Sequence, residues 1–364
     1  MFRPYIVMMA GGRGERFWPL STEARPKPFL NLFGKGSMLQ QAIKRIEGAF
    51  PKESIFIVLA EEHLPIARSQ LPHIPIDNFI VEPFGRDTAA CIGLASIHLE
   101  LMEKDAIMVV LAADHWIPDV EEFIRTLRAG IEYLKKENVI ITLGMEPTRP
   151  EIGYGYIETG DEVSTSDGYS ILKVLRFVEK PDRRRAEEYL SSGRFYWNSG
   201  MFIWRNTLLQ ELLSCFMPSH WKALIKIKDA ILRGKEKEVL EREFKGLEKI
   251  SIDVGVLEKA GCIFLIPSRF RWDDVGGWTA LSRVTQPDIK GNLIRGDALA
   301  IDTQGCIIHS EDELVATMGV RDLVIVHANG KILVASRECA PELKRLVRRV
   351  KDEIEGAHRK EQKL

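Results

Sequence analysis

Residues 5–29 (YIVMMAGGRGERFWPLSTEARPKPF) gather the groups that a triphosphate requires. Gly11, Gly12 and Gly14 follow directly on the apolar run Tyr5 to Met9 and on Ala10. Glycine accepts positive φ and lets bare N–H groups approach phosphate oxygens closely. Arg13 and Arg16 add charge to the same loop, and Lys27, between Pro26 and Pro28, is expected on a stiff extended segment. The chemistry this predicts is the cradling of a nucleoside triphosphate, with Arg13, Arg16 and Lys27 neutralising its phosphates. Two other phosphate motifs are excluded. Phe17 stands where a dinucleotide fingerprint needs its third glycine, and Pro19 interrupts the helix that should open there. Phe29 stands where a P-loop ending in Gly34 and Lys35 needs its first glycine, and Gly36 where Ser or Thr would meet magnesium.

Further groups lie at the ends of apolar runs. Asp114 closes the run 105–115 (DAIMVVLAADH). A carboxylate at the carboxyl end of a central strand is placed to hold a divalent cation, and magnesium prefers one or two carboxylates completed by phosphate oxygens and water. Asp114 is therefore the first metal-ligand candidate, with Mg2+ the expected cofactor. Asn198 is the small polar centre of 196–202 (YWNSGMF), and Gly153 and Gly155 allow close backbone approach in 146–157.

The elements that must position these groups alternate. Tyr5 to Met9 reads as a buried strand, Met38 to Phe50 as a helix and Ser54 to Ala60 as a strand; 105–115 is the clearest strand of all. Asp87 or Thr88 is a natural cap for a helix after the turn Pro83 to Gly85. Residues 221–244 carry Lys, Glu, Ile and Leu at helical spacing and read as a solvated helical region. The expected fold is an α/β sandwich with a mostly parallel central sheet, ligands lying beyond the carboxyl ends of its strands. A boundary near residue 287 separates a catalytic domain (1–287) from a C-terminal extension (288–364). In the extension, apolar runs starting at Ala298, Cys306, Leu314, Leu323 and Ile332 predict short strands, a small β-helix-like module. A terminal helix from Glu342 sets Leu343, Leu346, Val347, Val350 and Ile354 on one face, for packing on the same chain or for a homodimer contact.

The runs 11–21 (GGRGERFWPLS) and 26–29 (PKPF) resemble the signature of nucleotidyltransferases that join a nucleoside triphosphate to a sugar 1-phosphate, most closely the mannose-1-phosphate guanylyltransferases. The resemblance extends from Met8 to Trp278. It implies a base pocket lined by 82–89 (EPFGRDTA), hence Glu82, Pro83, Gly85, Asp87 and Thr88, with Asp87 replacing an expected Asn; guanine offers donors at N1 and N2, so an acceptor carboxylate such as Glu82 or Asp87 is compatible with it. It implies a sugar-side loop at 146–157 with Gly153, Glu179 on sugar hydroxyls and Lys180 on the sugar phosphate, from 177–182 (FVEKPD), and a sugar-side role for Asp253, and on the same ground Asn198 is assigned to sugar hydroxyls. Within 272–278 (WDDVGGW) it makes Asp274 the second metal ligand, with Asp273 at a variable position and Gly277 replacing Ser. Ile152, before Gly153, departs from the usual Thr. The implied substrates are GTP and mannose 1-phosphate. The alternatives are another base or hexose 1-phosphate on the same fold, or a non-catalytic subunit that senses sugar nucleotides.

Composition narrows the rest. The 364 residues carry 51 Lys+Arg against 52 Asp+Glu, a net charge of -1, so no global field would hold nucleic acid or an anionic membrane. Five scattered cysteines without a C-x-x-C pair suit a reducing compartment. The start lacks the apolar core of a signal peptide and no run is long enough to span a bilayer, so a cytoplasmic protein is expected. The extension looks too short to supply a further metal-binding barrel, so one activity is expected.

Overall fold

A computed structural model describes residues 3–12 and 14–361, with side chains through 353. The chain divides into two compact units. The second takes Gly12–Ala42, Asp114–Trp116 and the chain from Asp273 onward, and the first takes the remainder.

The first unit is built on nine strands: β1 (Pro4–Met9), β2 (Ile55–Ala60), β3 (Phe79–Glu82), β4 (Ile107–Ala112), β5 (Ile140–Met145), β6 (Tyr156–Ser166), β7 (Tyr169–Val178), β8 (Phe195–Arg205) and β9 (Ile263–Ser268). Their order is β3-β2-β1-β4-β8-β5-β9-β7-β6. The strands β3, β2, β1 and β4 run parallel, as do β5 and β9. Between these groups β8 lies antiparallel to both β4 and β5, and β6 and β7 form a hairpin. The parallel strands are continuous apolar runs such as IFIVLA and IMVVLA, the pattern of strands covered on both faces. Because β1, β3 and β4 are parallel, their carboxyl ends fall along one edge, followed there by Ala10 and Gly11, closed by Glu82, and followed by Ala113.

Helices α1 (Met38–Ile46), whose residues up to Ala42 count with the second unit, α2 (Leu64–Gln70), α3 (Asp87–Met102), α4 (Val120–Leu134), α5 (Arg183–Ser192), α6 (Asn206–Phe216), α7 (Pro218–Leu232) and α8 (Glu236–Gly246) complete this part of the chain. A Cβ on Gly93 of α3 would lie 2.6 Å from Leu224 of α7, so the close packing of the two helices depends on that glycine. The segment 221–244 is two helices rather than one solvated stretch. Leu224, Ile227, Leu240 and Phe244 are buried in the core cluster, and only their outward neighbours are solvated.

In the second unit, β10 (Leu293–Arg295), β12 (Ile307–Ser310), β14 (Leu323–Ala328) and β15 (Lys331–Ser336) form one sheet, and β11 (Ala298–Ile301) pairs with β13 (Val315–Met318). All pairings are parallel except β14 with β15. Short parallel strands joined by turns make the β-helix-like module. Asp302, Asp322 and Asn329 hold positive φ at its corners, which Asp and Asn tolerate best among residues with a side chain. Phe17, Leu20, Leu30 and Leu32 share its core with Trp278, Leu293, Ile307 and Val324. The unit also contains α9 (Leu281–Val284) and α10 (Leu343–Glu361). Leu343 and Val347 of α10 are buried and Val350 is half-buried, whereas Leu346 is exposed and off the packed line; the Ile354 side chain lies outside the described residues. Among the described residues no helix is long and apolar enough to cross a membrane.

Candidate active site

The second unit brings Arg16, Lys27, Asp114 and Asp274 together. Lys27 Nζ lies 2.9 Å from Asp114 Oδ2 and donates to the main-chain oxygen of Asp274. Its side chain is 9% exposed, so the ammonium meets these oxygens with little water around it. Burial pushes the Asp114 carboxyl up, but the Lys27 charge, His115 and the Lys27 hydrogen bond outweigh it and hold the group below the ordinary aspartate value. Asp114 is therefore an ionised acceptor at neutral pH. Arg16 Nη1 reaches the Gly276 carbonyl at 3.4 Å, and the Asp274 carboxyl lies over Gly276. Among the described residues no three His, Cys, Asp or Glu side chains are grouped so as to hold a metal ion by themselves. Carboxylates are the donor type that suits magnesium, which takes one or two of them and fills its remaining positions with phosphate and water.

Lys27 is not extended as expected. It opens a 3₁₀ turn, Lys27–Phe29, with Pro28 in the first turn where its missing N–H is harmless. Gly14 explains the approach: at φ +60 a Cβ there would lie 2.5 Å from Lys27 Cβ. Its carbonyl accepts from Ser21 Oγ and from the Phe17 N–H. Gly11 and Gly12 are exposed, Gly12 at φ +102, and nothing lies within 4 Å of where a Cβ on either would stand. Ala10 differs: it is buried and its N–H is spent on Val58 O. Arg13 lies outside the described residues.

In the first unit Glu82 closes β3 with 6% exposure, and its Oε1 has no hydrogen-bond partner among the described residues. Burial, and then the charge of Asp87, pushes its carboxyl up to about 8. At neutral pH Glu82 holds its proton, whereas an acceptor for guanine must lose it. Pro83 is half-buried and Gly85 exposed. The capping expectation for Asp87 and Thr88 does not hold. The N-cap of α3 is Arg86, without a side-chain cap, and Asp87, at φ +67, turns its Oδ1 to the Thr88 N–H. Asn and Asp are the side chains that tolerate such a φ, so either fits this position. Thr88 Oγ1 accepts from Ile252 N, tying this turn to the segment that leads into Asp253.

The sugar-side candidates form a second cluster in that unit. Asn198 Nδ2 donates to Asp253 Oδ1 at 2.7 Å, and Asn198 N donates to Gly155 O. A Cβ on Gly155 would lie 3.0 Å from Glu179 Oε2 and 3.5 Å from Asn198 Cβ, so glycine leaves room for both side chains. Burial raises the Asp253 pKa, the Asn198 bond works against it, and Glu179 and Glu258 reinforce it. Glu179 pairs with Lys180 at 2.6 Å, and Lys180 is well exposed with φ +39. Gly153 differs in that its N–H is occupied by Glu151 Oε1. Asp253 opens a π-helical turn, Asp253–Leu257, an element frequent at functional sites and invisible to apolar spacing. Gly255 in that turn faces Met217, whose sulfur would lie 2.5 Å from a Cβ there, so the absence of a side chain leaves room for Met217. A cavity of about 390 Å³ in the second unit is lined by Trp278, Arg295 and His309 and holds none of these candidates.

Comparisons with known proteins agree on one family. Residues 5–291 match the nucleotidyl transferase model, and residues 296–350 match the MannoseP isomerase/GMP-like beta-helix domain. A mannose-1-phosphate guanylyltransferase of Klebsiella pneumoniae is 38% identical over 361 residues, 98% of this chain and 76% of the relative. One from Escherichia coli is 39% identical, over 94% and 72%. A crystal structure from Thermus thermophilus, described as a mannose-1-phosphate geranyltransferase, aligns with TM-score 0.85 at 37% identity, covering 96% of this chain and all of that one.

Proposed function

The chain belongs to the nucleotidyl transferase family, in its mannose-1-phosphate guanylyltransferase branch, and from that premise we propose that it transfers GMP from GTP to mannose 1-phosphate, giving GDP-mannose and pyrophosphate. A phosphate oxygen of the sugar phosphate attacks the α-phosphorus in line, the bond to the β-phosphate oxygen breaks, and pyrophosphate leaves. No side-chain nucleophile is required, because positioning and charge stabilisation carry such a transfer. The observation that carries the reading is the buried Lys27 ammonium held between the Asp114 carboxylate and the Asp274 carbonyl.

In this reading Arg16, Lys27 and Arg13 neutralise the triphosphate, and Gly11, Gly12 and Gly14 let it approach the backbone. Asp114 and Asp274 would hold Mg2+, which when bound supplies charge stabilisation to the phosphates. Glu82, with Pro83, Gly85, Asp87 and Thr88, would read guanine. Asn198, Asp253 and Glu179 would take the sugar hydroxyls, Lys180 the sugar phosphate, and Gly153 the backbone approach. Residues 1–287 would form the catalytic domain and 288–364 the extension. A homodimer contact through the extension is supported by exposed Leu299, Ile301, Met318, Ile332 and Val334; light scattering on the purified chain tests it. Five free cysteines support a reducing, cytoplasmic setting.

The deciding experiment is pyrophosphate release from purified protein with mannose 1-phosphate, Mg2+ and each of GTP, ATP, UTP and dTTP, with and without chelator. Release with GTP that the chelator abolishes is expected. Release with another nucleotide in preference to GTP would overturn the substrate, and no release from any nucleotide that binds would overturn the transfer.

A further inference from the structure

We propose that Asp273 and Arg283 are positioning residues for the phosphate-handling cluster, a role that rests on the reading of Asp114 and Asp274 as magnesium ligands. Asp273 occupies the position that varies in the motif, and no spacing rule links it to Arg283. Its main chain exchanges two hydrogen bonds with Trp116, N–H to O at 3.1 Å and O from N–H at 2.9 Å. Those bonds fasten the strip carrying Asp114, two residues before Trp116, to the strip carrying Asp274, the residue after Asp273.

The Asp273 side chain is 6% exposed and fully engaged. Arg283 of α9 grips it with both prongs, Nε to Oδ2 at 2.6 Å and Nη2 to Oδ1 at 2.8 Å. The same Oδ1 accepts the Val275 N–H at 2.8 Å. Val275 is buried at φ +49, a conformation a β-branched residue holds only where its surroundings impose it. One carboxylate thus sets the turn that turns the Asp274 carbonyl to Lys27 and the Gly276 carbonyl to Arg16. A bidentate arginine–carboxylate pair fixes orientation as well as distance, which lysine cannot reproduce.

A purely structural pair would change stability and leave the folded enzyme's metal affinity and turnover alone. The test is Asp273→Asn and Arg283→Lys in the full chain, with two readouts. The first is Mn2+ titrated alone and followed by its electron paramagnetic resonance signal; the second is steady-state kinetics. We expect Mn2+ affinity and kcat each to fall about 10- to 100-fold, as for residues that orient metal ligands, with KM for mannose 1-phosphate within about twofold. Wild-type Mn2+ affinity and kcat in a folded variant would overturn the proposal, and Arg283→Lys decides alone if Asp273→Asn does not fold. Asp114→Asn and Asp274→Asn separate the two layers. If these bind Mn2+ as the wild type does, the ligand assignment has failed and the positioning role falls with it. If they lose Mn2+ while Asp273→Asn and Arg283→Lys keep it, only the positioning role has failed.

Discussion

Replacing Glu82 by Gln should change how stability and GTP binding respond to pH, in a direction fixed by the environment of the carboxyl. The group is 6% exposed, one of its oxygens lacks a partner among the described residues, and its pKa is raised from 4.5 to about 8. The folded chain therefore keeps a proton that the unfolded chain has lost throughout that interval. Stability from this group is fully present below about 4.5 and declines as pH rises toward about 8. The slope is about 1.4 kcal/mol per pH unit, or about 5 kcal/mol across the interval. Gln is neutral at every pH and nearly isosteric, so the two proteins should have matching denaturation midpoints near pH 5 and separate progressively toward pH 8, with Glu82→Gln the more stable. Binding runs the other way. If guanine N1–H and N2–H are accepted by ionised Glu82, GTP binding below pH 8 must release a proton that the variant does not release. Its affinity should then rise by up to about tenfold per pH unit relative to the variant. Urea denaturation at several pH values tests the first half. Calorimetry of GTP binding in buffers of different ionisation enthalpy tests the second, with the variant subtracting the nucleotide's own titration. Superimposable stability profiles for the two proteins from pH 5 to 8 would refute the burial argument. Equal proton release would refute the base-reading role.

Lys27→Ala should lower kcat by about 10²- to 10³-fold, the cost of one charge-stabilising donor, and unchanged turnover would remove Lys27 from the mechanism. Gly14→Ala should lower kcat on the order of 10²-fold without removing a charged group, because its Cβ would lie 2.5 Å from Lys27 Cβ and must push that side chain aside. A variant with wild-type kcat would mean that the position of Lys27 does not matter. Asn198→Ala should raise KM for mannose 1-phosphate more than KM for GTP, since its amide is joined to Asp253 in the sugar-side cluster; equal effects on both would count against that role.

The sheet was legible because burial on both faces forces continuous apolar runs, and β1, β2 and β4 are such runs. Their ends were legible for the same reason, since the first polar or glycine residue marks where the sheet stops. Long-range partners were not. Lys27 reads as extended between two prolines, yet Pro28 sits in the first turn of a 3₁₀ element and the lysine folds back onto Asp114. The strand β10 is three residues long and carries no alternation to detect. The Asp273–Arg283 grip joins residues ten positions apart through a side-chain fork, which no periodicity encodes.

Glu82 and Asp114 make the limit concrete. One closes β3 and the other follows β4 by a single residue beyond Ala113, so by pattern each is a carboxylate where an apolar strand runs out. Their chemistry is opposite. Asp114 has the Lys27 ammonium at 2.9 Å and is held below its ordinary value; Glu82 has burial and the negative charge of Asp87, and is pushed up to about 8. What separates them is whether a cation from a distant segment arrives, a fact of tertiary structure. Carboxyl groups whose environments drive their pKa values apart are suited to different tasks. Asp114 is ionised at neutral pH, and Glu82, in the base-reading role proposed for it, would exchange a proton for the hydrogen bonds of its ligand. Removing the cation should therefore erase the difference on one side only: in Lys27→Ala, Asp114 should titrate upward toward the range of a buried carboxyl while Glu82 stays where it is. Carboxyl carbon resonances followed by NMR across the pH range would register that shift, and an unmoved Asp114 would mean that Lys27 is not what keeps it ionised.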